Sequence, residues 1–271
     1  MSNIAWNRSG IDQEDSRTDL LASGISFVEL APALTWSNPG SITSKENVAL
    51  RNFWNSTGIQ VCALQSLLYK RHDLQLFGDS ESRSKLLDYI VRLAEAASEI
   101  GAPVLVFGSP LNRIKGNLSK PEADLIAMDF FQTLDQKIHG LRVSIAIEPN
   151  PTMYECDYLN SATQVLDFLK VLDCSNIKLN FDLACIVLGG EDPIQMFTNA
   201  IDYICHIHVS EPDLGPIELE TLSHVEFARV IKLNSAKLNL VRISMEMRDA
   251  TVVGYETNRS IEVFKEIYLD C

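Results

Sequence analysis

Positive charge is scarce in this chain. Its 23 lysines and arginines stand against 36 aspartates and glutamates, leaving a net charge of -13 at pH 7 and a pI near 4.8. Such a field repels a phosphodiester backbone, so nucleic acid is not an expected partner. The six cysteines, Cys62, Cys156, Cys174, Cys185, Cys205 and Cys271, form no CxxC pair and no zinc-finger spacing. Several lie in apolar runs, and they read as reduced core residues of a cytoplasmic protein. No run approaches the roughly 18 apolar residues of a membrane span, and residues 1–6 lack the basic and apolar parts of a secretory signal. No glycine-rich turn follows Trp6, which argues against a dinucleotide-binding open sheet. No low-complexity linker or shift in composition divides the chain, so residues 1–271 are expected to form a single domain.

Hydrophobic residues make up 46% of the sequence, enough for a large core. They are distributed in two alternating patterns. Short, nearly continuous apolar runs at 3–6, 26–30, 60–64, 104–107, 142–147, 177–181, 204–209 and 241–245 predict parallel strands buried on both faces. Between them, apolar residues recur with helical spacing at 12–23, 44–57, 84–100, 122–138, 161–172, 193–200, 220–231 and 260–268. In the clearest of these, Leu86, Leu87, Ile90, Leu93, Ala94 and Ala97 form one stripe. Gly101 follows as a C-cap and Pro103 forbids continuation. Eight strands alternating with eight helices in a chain of 271 residues predict a (β/α)8 TIM barrel, which typically needs about 250 residues.

Active sites of such barrels lie at the C-terminal ends of the strands. Glu29, Glu148, Asp182, His208 and Glu246 stand at those ends, and polar residues capping apolar strands are poorly explained as packing. Glu148, Asp182, His208 and Glu246 close four successive strands. Three carboxylates with one imidazole suit Mn²⁺, Mg²⁺ or Co²⁺, with Zn²⁺ also compatible. His206 shares a face with His208 by the two-residue repeat of a strand but sits one layer deeper. It reads equally as a core residue or as a support for the site. Glu148 and Glu246 reach the centre from different sides, so one can remove and the other return a proton beside a substrate carbonyl. That chemistry serves an epimerase or an aldose–ketose isomerase, and ligand spacing alone does not choose between them.

Several stretches resemble the sugar phosphate isomerase/epimerase family, the xylose-isomerase-like TIM barrels. They are ISFVELAP (25–32), VCALQSLLYKRHDLQLFGD (61–79), VLVFGSPLNRIKG (104–116), IEPNP (147–151), ECDYLN (155–160), LNFDLACI (179–186), HIHVSEPDL (206–214) and SMEMRD (244–249). The resemblance covers nearly the whole chain and is carried by the order and spacing of these stretches together. It implies one divalent ion, Mn²⁺ first, held by Glu148, Asp182, His208 and Glu246, with Glu148 and Glu246 as the acid/base pair. It implies a small sugar or sugar phosphate as substrate, with Glu155 near the sugar's reactive end. Relatives often pair, so a homodimer is an open expectation. Two positions depart from the family's ketose epimerases: Cys185 stands where they carry a histidine, and Leu214 near where they carry an arginine. Glu29, Gln65, Arg113, Glu155, Cys185 and Arg248 are the expected substrate contacts, arginine being suited to an anionic sugar. The 70–72 run reads equally as a solvated surface, and His139 and His224 as residues of outer helices. The rival readings are a metal-dependent lyase or dehydratase of a keto-sugar or keto-acid, an endonuclease-IV-like repair enzyme, and a non-catalytic binding barrel. The five histidines and the net charge of -13 speak against the nuclease.

Overall fold

A computed structural model describes residues 1–5, 17, 20–218, 222–248 and 255–269, with the side chains of 255–257 left aside. Seven strands lie side by side in chain order: β1 (Phe27–Leu30), β2 (Gln60–Leu64), β3 (Val104–Phe107), β4 (Ser144–Ile147), β5 (Ile177–Asp182), β6 (Ile204–Ser210) and β7 (Arg242–Glu246). Every neighbouring pair is parallel, as crossover helices demand.

The seam between β7 and β1 is filled by two residues. The Ser2 N–H donates to the Met245 carbonyl (3.1 Å), and the Glu29 N–H donates to the Met1 carbonyl (2.9 Å). The strand expected at 3–6 is therefore displaced toward the chain start. Met1 and Ser2 form the stave, and Asn3–Ala5 is a 3-10 turn, while Trp6 lies outside the described residues. The turn has a local cause: Asn3 Oδ1 accepts the Ala31 N–H (2.8 Å) and Ser2 Oγ accepts the Ile4 N–H (3.4 Å), drawing the backbone out of the extended form.

The outer helices begin and end on the expected chemistry. Thr43 with Glu46 and Ser119 with Glu122 form capping boxes for α1 (Ser44–Asn55) and α3 (Lys120–Ile138). Asp79 caps α2 (Ser80–Ile100), which stops at Gly101 with φ 87°. Further helices are α4 (Ala162–Leu172), α5 (Leu183–Leu188), α6 (Pro193–Ala200), α7 (His224–Leu233) and α8 (Tyr255–Tyr268). α7 starts later than the expected 220 and α8 earlier than the expected 260. Most of the segment expected as a helix at 12–23 lies outside the described residues. α5 was not expected: its apolar residues run on directly from β5, and the turn from strand to helix is made by Asp182, whose Oδ1 accepts the Cys185 N–H (2.7 Å). No described helix is long and apolar enough to cross a membrane.

Alternation along the strands sorts the side chains. Leu105, Phe107, Ile145, Ile147, Leu179, Phe181, Ile207 and Val209 join the large core between strands and helices. Ala63, Val104, Val106 and Ala146 form a small separate cluster inside the barrel. The inward positions of β5, β6 and β7 are instead polar: Asn180, Asp182, His206, His208, Ser244 and Glu246, all buried. Small residues on one wall leave room for polar groups from the other.

Candidate metal centre and active site

The inward face of β4 continues one step past the strand into Glu148. Its backbone N–H donates to the Phe107 carbonyl (3.2 Å), keeping the chain in strand register as the side chain turns over the barrel mouth. Across the barrel, Asp182 pairs with His208 and Ser210 with Glu246 in the ladders of β5, β6 and β7. The side chains converge on His208 Nδ1, which lies 3.2 Å from Glu148 Oε2, 3.1 Å from Glu246 Oε2 and 3.7 Å from Asp182 Oδ2. One ligand atom from each of the four residues lies within 4.8 Å of all the others.

Neutral groups position the carboxylates. Asn180 Nδ2 donates to Glu148 Oε2 (2.7 Å). The Ser210 hydroxyl lies within hydrogen-bond reach of both Asp182 oxygens (2.9 and 3.0 Å). Arg113 is fully buried and donates from Nη2 to the Glu148 carbonyl (2.9 Å). Gly108 makes the space: a Cβ there would lie 2.5 Å from Glu148 Oε1.

Like charges at this range repel, and burial adds to the cost. Burial first, opposed by His208 and reinforced by Glu148 and Asp182, pushes the Glu246 carboxyl up to about 7. Burial works against a charged His208, yet Glu29, Glu246 and the hydrogen bonds of the other acids hold it well above its ordinary value. A cluster of three carboxylates and one imidazole, strained in this way by its own charge, fits a hard divalent cation in donor type and in spacing. Glu29, His206 and His208 form a second group of ligand types at close range, but both Glu29 oxygens are already spent on the Nε2 atoms of the two imidazoles.

The expected substrate contacts fall in different places. Glu29 does not open to the mouth: it is completely buried, with Oε1 on His206 Nε2 and Oε2 on His208 Nε2 (3.1 Å). Gln65 is buried and tied to Ser2 Oγ (2.5 Å) and the Ser66 hydroxyl (2.6 Å). Arg113 lies beneath Glu148 rather than at the surface. Cys185 is buried in the first turn of α5, where burial first, then Asp182 and Glu148, keep its thiol well above the usual range and so neutral. Glu155 and the Arg248 side chain are exposed. Glu155 adopts a left-handed φ of 61°, and the Arg248 N–H donates to the Leu214 carbonyl (2.8 Å). In the 70–72 run, Arg71 pairs with Asp73 (2.8 Å) and lies over the Tyr89 ring. His139 is exposed. His224 is buried between Glu211 and the Tyr268 hydroxyl, both at 2.8 Å.

Sequence reasoning passed over Asn180, Ser210 and Tyr154. Tyr154 follows β4 at the mouth, and its hydroxyl accepts the Asp213 N–H at 3.4 Å. Asp213 and Leu214 are consecutive non-glycine residues with φ of 58°, an arrangement that concentrates backbone strain beside the quartet.

A family model described as xylose isomerase-like TIM barrel matches residues 18–261. No curated protein matches the chain in sequence. The apo 3-keto-D-glucoside 4-epimerase YcjR of E. coli is similar with a TM-score of 0.77 at 15% identity, covering 93% of both chains. The D-psicose 3-epimerase of Clostridium cellulolyticum H10, solved with D-tagatose, gives 0.77 at 14% identity over 95% of this chain and 94% of that one. The probable 3-DHS dehydratase AsbF of Bacillus anthracis gives 0.70 at 15% identity over 98% and 97%. At such identities these likenesses establish the fold alone.

Proposed function

This chain belongs to the xylose isomerase-like TIM barrel family, and on that premise we propose that it is a divalent-metal-dependent isomerase or epimerase of a sugar or sugar phosphate. The observation that carries the reading is the approach of Glu148 and Glu246, from β4 and β7, to one point beside His208 Nδ1. Glu148, Asp182, His208 and Glu246 would hold the ion, with Mn²⁺ as the first candidate and Mg²⁺, Co²⁺ or Zn²⁺ as alternatives compatible with three oxygens and a nitrogen. When bound, such an ion supplies Lewis-acid polarisation of a carbonyl oxygen. The protein's own part is proton transfer. One of Glu148 and Glu246 takes the proton from the carbon beside the carbonyl, giving an enediolate of the substrate, and the other returns a proton to it. Asn180 and Arg113 keep Glu148 in place, and Ser210 does the same for Asp182.

Turnover of candidate ketoses and keto-glycosides in D₂O with Mn²⁺ tests the reading. Deuterium should enter the carbon beside the carbonyl in product and in recovered substrate. Water loss without exchange into recovered substrate would favour the second reading, a dehydratase. The likeness to the probable dehydratase AsbF is what keeps that reading in view.

A further inference from the structure

Glu29 has two oxygens and two imidazoles to serve. Oε1 meets His206 Nε2 and Oε2 meets His208 Nε2, all within a completely buried cluster. An ionised carboxylate only accepts hydrogen bonds, so each imidazole must place a hydrogen on Nε2. For His208 this leaves Nδ1 as the atom turned toward Glu148, Asp182 and Glu246. His206 supplies the second half of the argument. Its Nδ1 is buried and has no hydrogen-bond partner, so a hydrogen there would be stranded at a cost. Its hydrogen is thereby confined to Nε2, facing Glu29.

We infer that Glu29 is a positioning residue that selects Nδ1 of His208 as the metal-binding atom, with His206 as the lock that holds Glu29 in its double-acceptor role. The inference rests on the metal-centre reading above and deepens it. An amide in place of the carboxylate has one acceptor and one donor, so it can satisfy only one imidazole in its native form. His206 cannot yield, because its other nitrogen has no acceptor. His208 can, because a hydrogen moved to its Nδ1 is accepted by the carboxylates. That hydrogen then occupies the lone pair the ion requires.

Two measurements test this on the full-length protein. With ¹⁵N-histidine label and Cd²⁺, the wild type should show ¹¹³Cd–¹⁵N coupling to Nδ1 of His208 and a hydrogen on its Nε2. Coupling to Nε2 overturns the inference whatever any variant does. Titration of Glu29→Gln with Mn²⁺ should give affinity weaker by about 10- to 100-fold, the usual cost of losing a group that orients a metal-bound histidine, with Glu29→Asp recovering part of it. A folded Glu29→Gln protein that binds Mn²⁺ as tightly as wild type also overturns it. If the wild type binds neither ion, the metal-centre reading itself has failed, so the two failures are distinguishable.

Discussion

Glu148 follows β4 directly and Glu246 ends β7, with two strands between them in the barrel wall, yet each brings one oxygen to the same atom, His208 Nδ1, at 3.2 and 3.1 Å. No packing requirement explains two acids meeting there; on the proposed reading they share a cation and move a proton. Glu148→Gln and Glu246→Gln should each lower turnover by about 10²- to 10⁴-fold, the range for a lost general acid or base. Because each also removes one of the mutually repelling charges, the metal-free variants should melt no lower than wild type. Steady-state rates and thermal melts check both statements, and unchanged rates would remove the residue from the acid/base role.

The pH dependence of metal binding has a definite sign. The ion needs Glu246 ionised and His208 Nδ1 bare, whereas burial and neighbouring acids raise Glu246 to about 7, and the surrounding acids, against the effect of burial, hold His208 well above its usual value. Binding therefore releases protons, and Mn²⁺ affinity should rise from about pH 5 to about pH 8. Glu246 also bears on stability. Its folded value exceeds the ordinary 4.5, so its contribution is fully present below that value and is lost as pH rises through about 7. The metal-free wild type should lose melting temperature over that window relative to Glu246→Gln, which cannot ionise there. A flat difference between the two would refute the assignment.

Gly108 should tolerate alanine in the fold but not in the site. Its φ lies outside the left-handed region, so the backbone accepts a side chain, but the new Cβ would meet Glu148 Oε1 at 2.5 Å. Gly108→Ala should keep its melting temperature within a few degrees while Mn²⁺ affinity falls by about 10-fold. Isothermal titration beside a melt separates the two effects.

Ser210→Ala removes the hydroxyl that lies 2.9 and 3.0 Å from the two Asp182 oxygens. A hydrogen bond to a charged group is worth about 1.5–3 kcal/mol, and Asp182 keeps its bond from the Cys185 N–H. Mn²⁺ affinity should fall by about 10-fold, with the kcat of metal-saturated enzyme nearly unchanged. A large loss of kcat at saturation would instead give Ser210 a contact with substrate.

The quartet was legible in the sequence because parallel strands buried on both faces leave almost nothing polar, so a carboxylate or imidazole at a strand end stands out. Asn180 and Ser210 share the same inward faces but were hidden, since a neutral amide or hydroxyl in a strand carries no comparable signal. Glu29 was seen but misplaced. A carboxylate ending a strand looks the same whether it opens to solvent or turns inward, and its partners His206 and His208 lie 177 and 179 residues away. The chain start was misread for a related reason: the pairing of Met1 and Ser2 with Glu29 and Met245 is non-local, and a stave of two residues has no periodicity to detect.

One divalent ion held by Glu148, Asp182, His208 and Glu246 is a quantity that metal analysis counts. Chelator-stripped protein reloaded with Mn²⁺, freed of excess and analysed for metal should carry about one ion per chain, as one group of four ligands implies, and Asp182→Asn should carry far less. A wild-type protein that retains no ion, or one that retains several, would contradict the account.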